Sequence, residues 1–493
     1  MSTGYSSVKT LHRDYIANAG KWKKIRDVLA ANCKSYLRDV SSSETDPTYK
    51  AQRQDEYENG GVFYNFTKRT LSGMVGAVMR KPAEVMLPAD VEYLLTNCDG
   101  AGLGLEAQAQ DTLREIDSEG RGGLLVDAPE TAAATMAEQN TGQLNPRIQL
   151  YTTENITNWR KTRKGSTKVL TMVVLREPYE YQAENNEFDW LQGEQYRVLE
   201  IVDGRYQQRL FVFDSTGAQV GDSVEPVIPM VKGKPLYYIP FQFIGSDNND
   251  ESIDPAPLET MADINIGHFR NSADVEDSAF YQQGTLILAP GENMSGQMFK
   301  ELYPKGLRMG ARIGYNLGAG GSAQIVQPDP NNLSFELMKS KEDQAVKAGA
   351  QLITPTVQIT AEASRLQRGA DTSIMATIAI NVSKAYEQAI KWCGAFLGQQ
   401  YVDEDVTFEL NMEFFLAQMT AQDRTAWVAD INAGYLPATA YYAALRAAGV
   451  TNWTDEEIED AIESQPPAPA PALNTTVQGE IPPAPDQSAD QQQ

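Results

Sequence analysis

The feature that most constrains the fold is a regular apolar repeat between residues 371 and 399. Its members follow one another at intervals of four residues: Ile374, Ile378, Val382, Tyr386 and Ile390. This interval keeps the side chains on one face of an α-helix, so the repeat predicts one long helix. Residues 371–373 are Asp, Thr and Ser, which are suitable N-terminal caps. A long helix is therefore the first expectation.

Two further helical patterns precede this repeat, and an insert of different composition separates them. The first begins at Pro255, a favourable residue at a helix start, and runs to about residue 283. Residues 284–330 are rich in Gly and Pro with short β-like runs, and residues 331–350 return to a helical pattern. Residues 351–369 contain Thr, Gln and Pro, and we expect them to be irregular.

The sequence patterns in the rest of the chain predict helices and an antiparallel sheet. Runs rich in β-branched and aromatic residues alternate with Gly, Asp and Asn turns: Val169–Arg176, Tyr196–Val202, Arg209–Phe213 and Leu236–Phe243. After a β-like run at 406–410, residues 420–463 have the pattern of a small helical domain. The Pro/Ala/Gln-rich residues 464–493 are expected to be disordered. The predicted fold class is therefore α+β.

Charge is unevenly distributed along the chain. The formal net charge is −24; residues 1–90 carry 14 Lys and Arg against 10 Asp and Glu, a net of +4, and residues 401–493 carry 2 against 16, a net of −14. Lys21–Leu29 has the spacing of a basic amphipathic helix. Packing of that helix on the protein core is the favoured interpretation, and a nucleic-acid or membrane arm is the alternative.

Residue patterns that support catalysis are nearly absent. The chain has two histidines and three widely spaced cysteines, and it lacks a phosphate-binding loop, a His-Glu-x-x-His motif and a Gly-x-Ser-x-Gly motif. The acidic runs Asp403–Asp405 and Asp455–Asp460 have ligands suited to Mg²⁺, although such runs are usually solvated surface or helix caps. We therefore predict no catalytic, cofactor-binding or metal-binding residues, no cofactor and no membrane-spanning segment.

Several segments, taken in order, resemble the portal proteins of tailed bacteriophages, the head-to-tail connectors. They are Tyr57, Tyr64–Gly76 with Arg80–Pro82, Leu94–Gly100, Gly120–Asp127, Tyr151–Arg160, Ile239–Phe241, Pro257–Leu258 and Asn265–Asp274. None of these segments is a catalytic motif. The specificity of the resemblance lies in their number and order, and a looser likeness continues to about residue 463.

The resemblance implies a subunit with an α/β wing, a helical stem, a small α/β clip, a tunnel loop and a helical crown. In that scheme the regions are wing 1–254, stem helix 255–283, clip 284–330, second stem helix 331–350, tunnel loop 351–369, long wing helix 370–400, crown 401–463 and disordered tail 464–493. It also implies a homo-oligomeric ring, expected to be a dodecamer, at one vertex of the virion capsid, assembled in the host cytoplasm.

The same resemblance implies a non-enzymatic role as the channel for packaging and ejecting double-stranded DNA. The expected partners are the terminase large subunit, then a head–tail adaptor, with the major capsid protein and scaffold as neighbours. An acidic chain suits DNA as cargo, because tight nonspecific binding requires clustered Lys and Arg. Arg365 and Arg368 are the DNA-facing candidates of the tunnel loop, and surface or interface salt bridges are the alternative for them. The rival functions are a Mg²⁺-dependent nuclease or other virion-assembly enzyme and a non-portal head–tail adaptor, which the chain length disfavours.

Overall fold

The computed structural model divides the chain into two compact units, Met1–Phe414 and Phe415–Gln493. It describes residues 7–42, 45–128, 144–183, 186–220, 225–281, 285–289, 291–292, 294–304, 316–326, 332–349, 361–412, 421–447, 450–451 and 453–464. The expected disordered tail at 464–493 thus lies outside the described residues, apart from its first residue.

Helices dominate both ends of the described chain and the stretch between the sheets. The helices are α1 (Arg13–Leu29), α2 (Pro47–Gly60), α3 (Phe66–Val78), α4 (Leu105–Glu119), α5 (Glu259–Tyr281), α6 (Gly296–Leu302), α7 (Leu333–Ala348), α8 (Ala361–Phe396), α9 (Ala421–Asn432), α10 (Ala438–Ala447) and α11 (Asp455–Glu463). Local sequence explains several helix starts. Asp46 accepts hydrogen bonds from the first turn of α2, with proline next to it, and Asn65 caps α3.

The strands form small antiparallel sheets, which confirms the α+β class. They are β1 (Glu84–Met86), β2 (Arg121–Asp127), β3 (Arg147–Thr152), β4 (Ile156–Lys164), β5 (Thr167–Ala183), β6 (Asn186–Val202), β7 (Arg205–Phe213), β8 (Gln219–Val220), β9 (Met230–Val231), β10 (Lys234–Pro235), β11 (Phe241–Gly245), β12 (Thr285–Ala289), β13 (Ser322–Val326) and β14 (Thr407–Glu409). Strands β4 to β8 make a five-stranded meander, and β11, β2 and β3 make a three-stranded sheet in that order.

The main core lies between α8, α4 and the three-stranded sheet. Ile378, Val382, Tyr386 and Ile390 are buried, so four of the five members of the apolar repeat face the core. Ile374, the first member, is half exposed. A second core joins α1 to the five-stranded sheet through aromatic side chains that include Trp22, Trp159 and Phe243. The first unit is thus built around the helix that the sequence repeat predicts.

Two boundaries drawn from the sequence need correction. Helix α8 begins at Ala361, so the predicted irregular segment 351–369 is helical over 361–369; residues 350–360 lie outside the described residues. Ala, Glu, Leu, Gln and Arg fill this stretch and favour a helix, and one glycine at its end does not break it. The caps proposed at residues 371–373 therefore fall inside α8.

The predicted crown, 401–463, also begins too early. Strand β14 pairs with β1, with Phe408 opposite Val85, and the side chains of Val406, Phe408 and Leu410 are buried in the first unit. Their alternation is the pattern of a half-buried strand, which needs a partner strand to satisfy its backbone. The second unit begins at Phe415, and α9, α10 and α11 are its described helices.

Candidate functional site

Helices α5 and α7 form an antiparallel pair joined by a two-stranded insert. A Cβ atom placed on Gly267 of α5 would lie 3.2 Å from Cε of Lys341 on α7, so the two helices approach closely here. One residue further on, Nε2 of His268 lies 3.3 Å from a carboxylate oxygen of Glu342. Gly349, which follows α7, is buried against Met261 near the start of α5. These contacts fix the antiparallel register of the pair.

The other side of α5 is held by ion pairs from the N-terminal region. The pairs and their N–O distances are Lys21–Glu259 at 3.3 Å, Lys24–Asp263 at 2.6 Å, Arg38–Asp274 at 2.7 Å and Arg53–Asp277 at 2.8 Å. Trp22, Ile25 and Val28 of α1 are buried. The packing interpretation of the basic helix is therefore confirmed, since its lysines neutralise α5.

Helix α7 and the insert present apolar side chains that the described part of the chain leaves exposed. Among the residues of α7, which are all described, Ala345 is the buried one, whereas Leu333, Phe335, Leu337 and Val346 are exposed. The hairpin β12–β13 likewise exposes Ile287 and Ile325. An isolated two-stranded hairpin is marginally stable in water, and uncovered apolar surface marks interaction sites. Both elements therefore have the surface of an assembly contact.

The start of α8 carries the two arginines singled out in the sequence. Arg365 and Arg368 lie on the helix rather than in a loop, three residues apart and thus on neighbouring positions of its surface. Their side chains lie outside what the structure describes.

A cavity of about 370 Å³ lies beside the end of α7, the start of α5 and residues 374–375 of α8. Its lining includes Thr70 and Met74 of α3, Met261 of α5, Gly349 after α7 and Met375 of α8. The lining also includes the carboxylate of Asp247 and the hydroxyl groups of Ser246 and Thr260, but no histidine or cysteine.

A cluster of buried charged groups with perturbed pKa values lies elsewhere, where α4 leads into β2. Burial raises the pKa of Asp117 to about 8, and burial raises that of Glu119 to about 8 although Arg26 lies 2.8 Å away. Burial also lowers the pKa of Arg121 to about 9. Its guanidinium carbon lies 3.9 Å from the ring centroid of Trp159.

This buried group was missed by sequence reasoning, because charged residues at the junction of a helix and a strand carry no periodic signal. It ties α1, α4 and the sheets together: Arg26 bridges Glu119 and Glu154, and Arg121 packs on aromatic rings. His12, stacked on Trp159 at 3.9 Å between ring centroids, is the nearest candidate base, and burial lowers its pKa. It has no nucleophile beside it in the described contacts, so we interpret the group as structural.

The acidic runs proposed as rival Mg²⁺ ligands have other partners. Asp403 lies 2.5 Å from Lys391, and Asp455 lies 2.6 Å from Arg446. Glu457 takes part in a reciprocal cap with Thr454 at the start of α11. Among the described residues, no group of three or more His, Cys, Asp or Glu side chains is arranged to hold a metal ion. Nor do they include a helix long and apolar enough to cross a membrane.

Comparisons with known proteins add the following findings. Residues 257–397, less than half of the chain, match a family described as "Domain of unknown function (DUF4055)". No curated protein matches the chain. A solved structure titled "Neck of empty GTA particle computed with C6 symmetry" matches 82% of this chain and 97% of its own, with 17% identity and a TM-score of 0.42.

A second solved structure is an HK97 family phage portal protein from Corynebacterium diphtheriae. It matches 70% of this chain and 92% of its own, with 11% identity and a TM-score of 0.32. The resemblance to phage portal proteins drawn from the sequence is thus found again among solved structures.

Proposed function

We propose that this chain is the subunit of a portal ring, which forms the channel for double-stranded DNA at one vertex of a phage capsid. The observation that carries the proposal is the order helix, two-stranded insert, antiparallel helix and long core helix, in α5, β12–β13, α7 and α8. This is the order that the resemblance assigns to stem, clip, stem and wing helix. The uncovered apolar side chains of α7 and the insert support assembly with further copies.

In this proposal DNA is a cargo that passes through the ring and is not tightly held. The chain has a net charge of −24, and basic residues of α1 and α2 are paired with α5. Phosphate binding requires free, clustered Lys and Arg, and charges act over about 8 Å at physiological salt. Acidic surface facing the channel would therefore let DNA slide.

The proposal extends to partners and to the two arginines at the start of α8. The ring would be a dodecamer in the virion, with the terminase large subunit on the clip during packaging and a head–tail adaptor afterwards. The major capsid protein and scaffold would surround it. Arg365 and Arg368 would face the channel and contact the DNA backbone, as the resemblance assigns residues before the long helix to a tunnel loop.

The experiment that tests the function is native mass spectrometry of the purified full chain, combined with a Mg²⁺-dependent DNA cleavage assay. We expect a single closed species of about twelve copies and no cleavage. A monomer that cleaves DNA in Mg²⁺ would instead establish the rival nuclease. A closed ring that cleaves no DNA supports the portal and rules out the nuclease.

A further inference from the structure

The long strand β5 carries opposite charge at its two ends. At its start, the hairpin β4–β5 is basic: residues 160–168 include five Lys or Arg and no Asp or Glu. At its end, the hairpin β5–β6 is acidic: residues 177–194 include six Asp or Glu and no Lys or Arg. With 17 residues at about 3.3 Å each, the two ends lie about 50 Å apart. We call them the basic end and the acidic end.

The basic end has cations that its own chain does not neutralise. In the described structure, Lys161 is paired with Glu251, whereas no ion pair is formed by Arg160, Arg163, Lys164 or Lys168. Arg163 lies directly opposite Lys168 across the two strands. Like charges in opposite cross-strand positions destabilise a sheet. The hairpin thus keeps an unfavourable pair that an outside anionic surface would relieve.

The acidic end combines free carboxylates with uncovered aromatic rings. Glu180, Glu187 and Asp189 are exposed, and they make no ion pair within the described residues. Phe188 is 84% exposed and Trp190 is 61% exposed. Large aromatic side chains on an otherwise acidic hairpin are costly to leave in water. Carboxylates with aromatic rings are the surface that arginine and lysine bind best, through ion pairs and cation–π contacts.

We infer that the acidic end of one subunit docks on the basic end of the next copy of this chain around the ring. The inference rests on the proposed function, because it requires a ring. A second copy of this chain accounts for both surfaces, because its acidic end supplies carboxylates to the basic end and its basic end supplies cations to the acidic end. The two ends lie at opposite tips of one strand, so the contact is heterologous and repeats from subunit to subunit, as ring closure requires. DNA would suit the basic end alone and would be repelled by the acidic end.

The test uses charge reversal at each end of the full chain, read out by native mass spectrometry. The basic-end variant replaces Arg163, Lys164 and Lys168 with Glu, and the acidic-end variant replaces Glu180, Glu187 and Asp189 with Lys, so that the sign of the unpaired charge is reversed at each end. Each variant alone places like charges at every contact, so the ring fraction should fall about tenfold or more. Reversal of three exposed cations away from both ends, Lys50, Lys68 and Arg69 to Glu, is the matched control and should leave the rings intact.

Mixing the two reversed variants in equal amounts gives the decisive result. One variant has two acidic ends and the other has two basic ends, so an alternating ring restores attraction at every contact. We expect mixed rings with equal numbers of each variant, which also shows that both variants are folded. Rings that persist in each variant alone, or variants that lose only DNA binding, overturn this contact and leave the portal ring standing. A wild-type chain that stays monomeric overturns the ring and the contact together.

Discussion

A terminal nitrogen of Arg53 on α2 lies 2.8 Å from a carboxylate oxygen of Asp277 on α5. This ion pair is the least exposed of the four that join the N-terminal region to α5. In the same turn of α5, Asp274 accepts a 2.7 Å hydrogen bond from the Tyr57 hydroxyl. The N-terminal region is therefore fastened to α5 by charge as well as by packing.

Arg53→Ala should lower the free energy of unfolding by about 1–3 kcal/mol, because it leaves the partly buried Asp277 without this partner. Thermal or urea unfolding measures the change. Arg13→Ala is the control: the Arg13 side chain is 89% exposed, and its substitution should change stability by less than about 0.5 kcal/mol. Equal effects of the two substitutions would contradict the role of the ion pair.

Gly120 ends α4 in the left-handed region, with φ of 78°, and a Cβ atom there would lie 2.5 Å from the carbonyl oxygen of Pro255. Gly120→Ala should therefore cost more than about 1 kcal/mol of unfolding free energy, from backbone strain and this clash. Gly20 lies within α1 with open space around it, and Gly20→Ala should stabilise the chain by about 0.5–1 kcal/mol. Unfolding midpoints that shift in the same direction would refute this account.

Asp117 is buried, and its Oδ2 atom has no hydrogen-bond partner among the described residues. Burial raises its pKa to about 8 from the ordinary 3.8, so the folded chain holds a proton that the unfolded chain releases between these values. The contribution of Asp117 to stability therefore falls as pH rises through this window. Asp117→Asn should raise the unfolding free energy by about 1–3 kcal/mol at pH 8.5, with a smaller gain at pH 4.5. Melting curves at both pH values test this, and a gain that grows on acidification would be the wrong sign.

Periodicity predicted the helices well, because apolar residues at helical spacing report directly which face is buried. The repeat from Ile378 to Ile390 was of this kind, and so was α5, where Met261, Ile266 and Phe269 are buried. The extent of α7 was also predicted, but its apolar side chains are mostly exposed. The start of α8 could not be found that way, since Ala361–Arg368 favours a helix by composition alone. Pairing between distant segments was also hidden: β14 joins β1 across more than 300 residues, and no local signal encodes such a partner.

The candidate site was only partly predictable for a related reason. The sequence showed a basic α1 and an acidic chain, but the pairing of Lys24 with Asp263 depends on tertiary packing. The opposite charges at the two ends of β5 depend on the length and register of this strand. The sequence predicted a run over Val169–Arg176, whereas β5 spans Thr167–Ala183. Buried charges such as Arg121 have no spacing rule at all.

Arg365→Ala combined with Arg368→Ala should leave the ring intact and change DNA retention or packaging, if both side chains contact the DNA backbone. Losing two phosphate contacts also lowers the salt dependence of DNA association, with a slope smaller by about 1–2. Packaging efficiency in an in vitro assembly reaction measures the effect. Lys50→Ala with Lys68→Ala, which removes two exposed lysines, is the charge-matched control. Unchanged packaging in the double variant would contradict the proposal that these arginines contact DNA.

The central claim, a DNA-passing ring, is tested most directly by electron microscopy of negatively stained full-length protein. The account predicts closed rings of about twelve subunits with an axial hole wide enough for duplex DNA, about 20 Å across. Particles without a central hole, or a population of monomers at micromolar concentration, would contradict it.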